Sequence, residues 1–202
     1  LAQKLNSKTL YLTGFEQNNH FNLLSKLYPT TSHIGLGLVT IDGKKMSTSE
    51  GNVLLLQDIV DLLLPKFNDD INLVYNVLAG FILKTNPSQT KNISLKEIDN
   101  VKLSPGLYLS YTMASMMSAG CYIDKVEIKN SLKFKYLMSK VALQPNYLVT
   151  ELVELAKEMN HLYNVKGFKI KDNIENTKTM SYLLSNLWWG MDKLGLLFVN
   201  KV

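Results

Sequence analysis

The residue types best suited to chemistry are concentrated in one short loop, "GKKMSTSEGN", which occupies positions 43–52. Between two glycines it carries two lysines and three hydroxyl residues, namely Gly43, Gly51, Lys44, Lys45, Ser47, Thr48 and Ser49. Ammonium groups, hydroxyls and exposed backbone amides on a flexible loop can together surround a phosphate. The same composition is also typical of a hairpin with a solvated tip that precedes a helix. The loop alone does not decide between these two interpretations.

The segments before this loop predict the elements that position it. "TLYLT", residues 9–13, has the pattern of a short buried strand, and the polar cluster that follows includes Gln17 and His20. A helix is predicted up to Pro29, and "IGLGLVTI" then predicts a second strand that leads into the loop. Strand, helix, strand and loop in this order indicate a parallel α/β sheet, whose ligands bind at the carboxyl ends of the strands. We therefore expect Gln17, His20 and the lysine loop to share one edge.

After Gly51 the pattern changes to successive helices. "NVLLLQDIVDLLL" predicts a helix up to Pro65, and "NDDINLVYNVLAGFILKTN" predicts a second with acidic and amide residues at its start. "SPGLYLSYTMASMMSAG" predicts a third, with Ser104 as cap and Pro105 in the first turn. Further helices are predicted at about 131–142, 146–164 and 177–198. We expect the second half to be entirely helical.

Composition excludes several classes of protein. The chain has 202 residues, of which 46% are hydrophobic and 19% charged, as in ordinary globular domains. Its single cysteine, Cys121, excludes an internal disulfide and disfavours a thiolate metal cluster, so we expect no metal site. The longest apolar run is too short to cross a bilayer, and the absence of a signal segment favours the cytoplasm or an organellar matrix. The start at Leu1 is the pattern expected of a fragment or processed product.

The charge pattern is compatible with a polyanionic partner. The net charge is +5, and all 22 basic residues are lysines. An anion site here would therefore use ammonium groups and not the bidentate fork of a guanidinium. Codon bias is the simpler explanation for the missing arginines, because the chain is also rich in Asn, Ile and Lys.

Four segments resemble arginyl-tRNA synthetases, a family of class I aminoacyl-tRNA synthetases. "KKMSTSEGN" resembles the Lys-Met-Ser-Lys-Ser signature of that class, and "YLTGFEQNNHFNLL" resembles the family's Gln-x-x-His-Phe segment. "SPGLYLSYTMASMMS" is similar to its Gly-Pro-Tyr-Leu-Gln-Tyr helix, and "ELAKEMNHLYNV" is similar to a helix of its anticodon-binding domain. The segments occur in the family's own order and cover nearly the whole chain.

The resemblance implies a fold and a reaction. It implies the tail of a Rossmann-like nucleotide-binding fold in residues 1–52, then a helical connector and an anticodon-binding domain in residues 53–202, so α/β followed by all-α. In the family, arginine is activated with ATP, whose Mg²⁺ accompanies the nucleotide, and is transferred to tRNA. Neither step needs a protein nucleophile, so catalysis consists of positioning and of stabilising charge on phosphate.

Site residues carried over from the resemblance fall into two groups. Those expected to act in catalysis are Lys45, Ser47 and Thr48. Those expected to contact arginine or ATP are Gly14, Gln17, His20, His33 and Lys44. For Gln17 and His20 the alternative is a plain helix start, and for His33 it is a strand-end histidine with a backbone partner. The "His-Ile-Gly" at His33 is not the ATP-binding signature of class I enzymes, because that signature lies far upstream of the lysine loop.

The helical half offers a candidate surface for tRNA. Aromatic residues interleaved with lysines can stack on bases and contact phosphates, and the candidates are Tyr108, Tyr111, Tyr163, Trp188, Trp189, Lys133, Lys135 and Lys140. The alternative is that these aromatics form the core, as most aromatics at helical spacing do. The loop and this surface each lack a basic residue that the family often has, because Ser49 and Ser115 occupy positions where many arginyl-tRNA synthetases have arginine.

Two function classes remain open. The first is an arginine–tRNA ligase represented by its carboxyl-terminal part, which lacks the first half of the nucleotide fold and is not expected to activate an amino acid alone. The second is a non-catalytic descendant that serves as a tRNA-binding or structural subunit of a larger ribonucleoprotein. The intact mass of the native polypeptide separates them, because only the first requires a chain much longer than 202 residues.

Overall fold

The computed structural model describes residues 8–45, 55–124, 144–165 and 168–199 together with Val202. The strands are β1 Thr9–Gly14, β2 Thr31–Leu36, β3 Val39–Ile41, β4 Lys44–Lys45 and β5 Lys91–Ile93. The helices are α1 Asn18–Leu27, α2 Leu56–Leu63, α3 Ile71–Leu83, α4 Pro105–Ser118, α5 Pro145–Asn164 and α6 Ile174–Lys193. Short 3-10 turns occupy Phe15–Gln17, before α1, and Leu64–Phe67, after α2. A small mixed α/β part therefore precedes a helical part, as predicted.

The first unit is β1, α1 and β2, with the two strands parallel from Thr9↔Thr31 to Gly14↔Leu36. This confirms the predicted strand–helix–strand order. The prediction that β1 is buried was wrong, because Leu10 is 49% exposed and Leu12 is 59% exposed. In the described structure only one face of β1 is covered, since α1 packs there through the buried Phe21.

The predicted strand "IGLGLVTI" is in fact two strands in two separate sheets. β2 ends at Leu36, and the Gly37 amide then donates to the Pro87 carbonyl oxygen, 2.8 Å away. Only glycine fits at position 37, because a Cβ there would collide with the Gln89 carbonyl oxygen. The loop that follows α3 therefore presses on the chain at this point and separates β2 from β3.

The second sheet has the order β4-β3-β5, with β3 antiparallel to β4 and parallel to β5. Because β5 lies between α3 and α4 in the sequence, the prediction of an entirely helical second half was wrong. The central residue of β5 is the polar Asn92, and the buried Lys91 and Ile93 lie on either side of it. A three-residue strand of this composition forms only because β3 is there to pair with it.

The helical core is built from α3, α4, α5 and α6, whose facing side chains are fully buried. Phe81, Met113, Met159 and Leu187 contribute one such side chain from each helix. Asp70 caps α3 by accepting hydrogen bonds from the amides of Asn72 and Leu73. Helices α3 and α4 approach closely because Gly106 faces the Asn76 carbonyl oxygen, where no Cβ would fit.

The predicted helix bounds agree with the structure to different degrees. The helix predicted at 146–164 matches α5 closely, and Pro105 opens α4 after Ser104 as expected, although the Ser104 side chain makes no cap hydrogen bond. The helix predicted at 177–198 was displaced. It begins after Asn173, whose side chain accepts two backbone amides, and ends before Gly195, which has a positive φ of 73°. The helix predicted at 131–142 and the Gly51 boundary lie outside the described residues.

Among the described residues, no helix combines the length and the apolar character that crossing a bilayer requires.

Candidate functional site

The lysine loop begins as a tight hairpin. β3 and β4 pair through Thr40↔Lys45 and Ile41↔Lys44, which leaves Asp42 and Gly43 as a two-residue turn. Both turn residues have positive φ, 48° and 76°, as a type I′ hairpin turn requires, and Asp-Gly is a favoured sequence for it. The Lys44 side chain is exposed beyond the turn. The side chain of Lys45, together with Ser47 and Thr48, lies outside the described part of the structure.

The hairpin is held by the strand β5 and the turn after it. The Gly43 amide donates to Asn92 Oδ1 at 2.7 Å, and the Thr40 hydroxyl donates to the same oxygen at 3.0 Å. The Leu95 amide donates to Asp42 Oδ1 at 2.9 Å. Sequence reasoning missed Asn92 and Asp42. The Asp-Gly pair was a usable signal for the turn, but nothing near Asn92 in sequence indicates its partner 49 positions away.

The other residues assigned to arginine or ATP lie in the first unit. Gly14 ends β1, Gln17 ends the 3-10 turn, and His20 is exposed in the first turn of α1. We predicted that Gln17, His20 and the lysine loop share one edge of a single sheet. That prediction was wrong, because the hairpin belongs to the second sheet. The break at Gly37 causes this separation.

His33 lies within β2, opposite Tyr11, and makes contacts with its own unit. Its Nε2 is 2.9 Å from the Thr13 hydroxyl oxygen, and its ring stacks on Phe21 with centroids 4.3 Å apart. His20 also contacts Phe21, edge-on, with ring centroids 5.2 Å apart. The structure thus brings both predicted histidines to Phe21, and half-buried His33 has the contacts of a structural histidine.

A groove of about 540 Å³ lies beside α4 and α5. Two exposed tyrosines line it, Tyr111 at 43% and Tyr163 at 45% exposure. The other lining residues are small, polar or apolar, namely Ala114, Ser115, Ser118, Asn160, Asn164 and Val202. None of the described lining residues has a charged side chain, so this part of the groove suits a neutral planar ring with polar edges. Sequence reasoning selected the tyrosines but missed Asn160 and Asn164.

The remaining residues assigned to tRNA have other surroundings. Tyr108 is half-buried, and its hydroxyl oxygen accepts a hydrogen bond from Asn160 Nδ2 at 3.1 Å. Trp188 is also half-buried and packs edge-on to Phe198, with centroids 5.3 Å apart. Both rings therefore contribute to the packing of the helical part. Lys135 lies outside the described residues.

One lysine is buried near the junction of the two sheets. Lys91 is 4% exposed, and its Nζ donates to the carbonyl oxygens of Pro87 at 2.6 Å and Gln89 at 2.9 Å. Burial lowers the pKa of Lys91 from the usual 10.5, because the charged form loses hydration. The side chain stabilises the loop that presses on Gly37. Across the described ranges, no three His, Cys, Asp or Glu side chains are grouped so that they could hold a metal ion.

The chain is similar in sequence and in structure to arginine–tRNA ligases. The arginine–tRNA ligase of Clostridium botulinum is 23% identical over 96% of this chain and 43% of that protein. That of Oenococcus oeni is 29% identical over 55% of this chain and 24% of its own length. The solved arginyl-tRNA synthetase of Thermus thermophilus has a TM-score of 0.70 at 16% identity, covering 96% of this chain and 41% of its own.

The chain resembles arginyl-tRNA synthetases along nearly its whole length. The structure of the Plasmodium falciparum arginyl-tRNA synthetase agrees, with a TM-score of 0.66 over 98% of this chain. No protein-family model matches the sequence. At these identities the solved arginyl-tRNA synthetases support the fold, and the sequence matches support the resemblance that the motifs predicted.

The coverage of the arginyl-tRNA synthetases is partial. The chain spans less than half the length of the curated ligases and solved synthetases it matches, at 43% and 41% for the two with broad coverage of this chain. The match is consistent with the carboxyl-terminal portion of such an enzyme. The activity of a whole arginyl-tRNA synthetase is therefore only proposed for this chain.

Proposed function

We propose that this chain is the part of an arginine–tRNA ligase that supplies the phosphate-contacting loop and the tRNA-binding helices. The carrying observation is the agreement of sequence and fold with arginyl-tRNA synthetases over 96% of the chain. In this proposal the ligase activates arginine with ATP and transfers it to tRNA, and Mg²⁺ arrives with the nucleotide.

The hairpin would act on the phosphates of ATP. Its exposed Lys44 and the adjacent Lys45 follow a turn that is fixed by Asn92, so the strand direction at the start of the loop is defined. We assign Lys45 as the cation facing the phosphates, with Ser47 and Thr48 as hydrogen-bond donors. A fixed cation stabilises the charge that develops on the departing pyrophosphate without reorganising during the reaction.

The first unit has the surface expected of an element that packs against more protein. Besides the two exposed leucines of β1, α1 exposes Leu23 at 63% and Leu27 at 73%. Apolar side chains exposed together on one small unit are typical of an interface. This supports the proposal that the ligase needs the portion of an arginyl-tRNA synthetase that this chain does not span.

The groove beside α4 and α5 would receive a base of the tRNA. Tyr111 and Tyr163 are exposed aromatic rings, and the Ser115 and Ser118 hydroxyls beside them can read the edge of a base. The side-chain amide nitrogens of Asn160 and Asn164 already donate within the protein. Stacking of a base on an aromatic ring contributes about 1–3 kcal/mol. Lysines elsewhere on the surface would contact phosphates as point charges.

The second candidate is a non-catalytic tRNA-binding subunit. Ser115 lines the groove at a position where the related helix usually carries arginine, and the whole chain has no arginine. Such losses would weaken contacts with phosphate and leave stacking and lysine contacts in place. This candidate predicts tRNA binding without amino-acid activation.

The test is arginine-dependent ATP–pyrophosphate exchange by the native polypeptide, measured beside tRNA binding. Exchange that requires arginine, and that lysine or glutamine does not support, is the expected result. Binding of tRNA without exchange would establish the second candidate instead. A polypeptide that does neither would overturn both.

A further inference from the structure

We propose that Asn92 is a positioning residue that orients the lysine hairpin. Its role in catalysis rests on the function proposed above, whereas its effect on the hairpin is a property of this chain. Asn92 contacts no reacting atom in this proposal. It acts through the backbone that carries Lys44 and Lys45.

The hairpin by itself is a weak structural element. Within the part of the chain that the structure describes, β4 covers Lys44 and Lys45, and its pairing with β3 consists of two residue pairs. Short two-stranded hairpins are marginally stable in water. The described contacts that add support come from β5 and its following turn, on the other side of β3.

Asn92 provides this support with a single oxygen. Its Oδ1 accepts hydrogen bonds from the Gly43 amide at 2.7 Å and from the Thr40 hydroxyl at 3.0 Å. One donor lies in the turn and the other lies two residues before it, so the side chain joins both ends of the bend. A hydrogen bond to the turn amide fixes the backbone immediately before Lys44.

A second contact runs in the opposite direction. Asp42 extends from the turn and accepts from the Leu95 amide at 2.9 Å, while the Asp42 amide donates to the Ile93 carbonyl oxygen at 3.0 Å. The turn and the β5 segment therefore hold each other through side-chain and backbone atoms. Rotation of the hairpin relative to β5 would break these contacts together.

The β5 segment is itself fixed in place. Buried Lys91 binds the carbonyl oxygens of the loop before β5, and its amide donates to the Leu38 carbonyl oxygen at 2.8 Å. Ile93 is buried in the core at the other end of the strand. Asn92 thus lies between two anchored residues, and its exposed side chain extends to the hairpin from a fixed backbone.

The experiment compares Asn92→Ala, which removes the acceptor, with Asn92→Asp, which keeps an oxygen at the same place. Asn72→Ala, at an exposed asparagine on α3, is the matched control. In the native polypeptide, hydrogen exchange of the Gly43 amide should accelerate about three- to tenfold in Asn92→Ala. It should stay slow in Asn92→Asp and in the control. Unchanged exchange in Asn92→Ala would overturn the proposal.

Catalysis provides the second readout. In arginine-dependent pyrophosphate exchange, Asn92→Ala should lower kcat about three- to thirtyfold with the KM for arginine unchanged, and Asn92→Asp should restore most of the rate. Equal losses in both variants, or losses that track the folded fraction, would contradict positioning. Absence of pyrophosphate exchange in the unmutated polypeptide would overturn the proposed function. The role of Asn92 would still be tested by hydrogen exchange of the Gly43 amide.

A milder variant, Thr40→Val, tests the same contact if Asn92→Ala misfolds. Thr40→Val removes the hydroxyl, which lies 3.0 Å from Asn92 Oδ1 and 3.3 Å from the Lys91 carbonyl oxygen, and keeps a β-branched side chain suited to β3. It should accelerate Gly43 amide exchange about twofold, because one of the two bonds that orient the Asn92 amide is lost. No acceleration in Thr40→Val, if Asn92→Ala cannot be purified, would overturn the proposal.

Discussion

Asn76 and Leu197 are 121 positions apart and are joined by a reciprocal pair of hydrogen bonds. The Leu197 amide donates to Asn76 Oδ1 at 2.7 Å, and Asn76 Nδ2 donates to the Leu197 carbonyl oxygen at 2.8 Å. Asn76 Nδ2 also donates to the Ser110 hydroxyl oxygen on α4 at 3.0 Å. One fully buried side chain therefore ties the segment after α6 to both α3 and α4.

Removal of the Asn76 amide should destabilise the fold substantially. Asn76→Ala removes the three hydrogen bonds that this fully buried side chain makes to the Leu197 amide, the Leu197 carbonyl oxygen and the Ser110 hydroxyl, so the free energy of unfolding should fall by about 2–4 kcal/mol. Denaturant unfolding measures the change. Asn72→Ala on the exposed face of the same helix is the control, and a loss no larger than in that control would contradict the role of Asn76.

The two groove tyrosines should matter for RNA more than the other aromatic residues do. Tyr111→Ala and Tyr163→Ala should each weaken tRNA binding by the native polypeptide by about 1–3 kcal/mol, because each removes a stacking face. Tyr182→Ala, an equally simple truncation of a tyrosine 65% exposed on α6, is the control. If the control weakens binding as much as the groove variants do, the groove is not the site.

Affinity for tRNA should depend on salt through the lysines. The logarithm of the association constant should fall linearly with the logarithm of salt concentration, with a slope of about 0.7–0.9 per neutralised phosphate. Tyr111→Ala should lower the affinity and leave this slope unchanged, because no phosphate contact is lost. A slope of zero for the unmutated polypeptide would contradict phosphate contacts by lysine.

Lys91 should give the fold a specific dependence on alkaline pH. Because burial lowers its pKa, the folded state releases the Lys91 proton at a lower pH than the unfolded chain does. Between those two pKa values the unfolded chain binds more protons, so stability rises with pH. The difference in unfolding free energy between the unmutated protein and Lys91→Met should therefore move in favour of the unmutated protein as pH rises towards 10.5. A pH-independent difference would show that burial does not shift this pKa.

Sequence periodicity predicted the helices and strands that are determined by residues close together in the sequence. The strand–helix–strand start and the helices that became α2 to α5 follow from apolar spacing, proline positions and caps such as Asp70. The break at Gly37 was missed because a glycine within an apolar run indicates a close backbone approach but does not show which segment makes it. β5 was missed for the same reason, since its pairing partner β3 lies about 50 positions earlier.

The candidate site was predictable in part. Lysines and tyrosines were selected by chemical type, and the structure places Lys44 at the hairpin and Tyr111 at the groove. Asn92, Asn76 and Asn160 were not selected, because a polar residue within an apolar pattern does not show what it will bond to. For the same reason, the sequence does not show that Tyr108 and Trp188 contact other residues of the helical part.

If the hairpin loop acts on phosphate in an arginine-activating enzyme, as proposed, then arginine-dependent exchange depends on Lys45. In the native polypeptide, Lys45→Ala should slow arginine-dependent ATP–pyrophosphate exchange by about ten- to a thousandfold, the range for one transition-state electrostatic contact, with little change in Tm. Lys44→Ala is the matched control and should have a smaller effect, because adjacent residues of a strand point to opposite sides. Equal and negligible effects of both substitutions, in a polypeptide that does activate arginine, would contradict the claim.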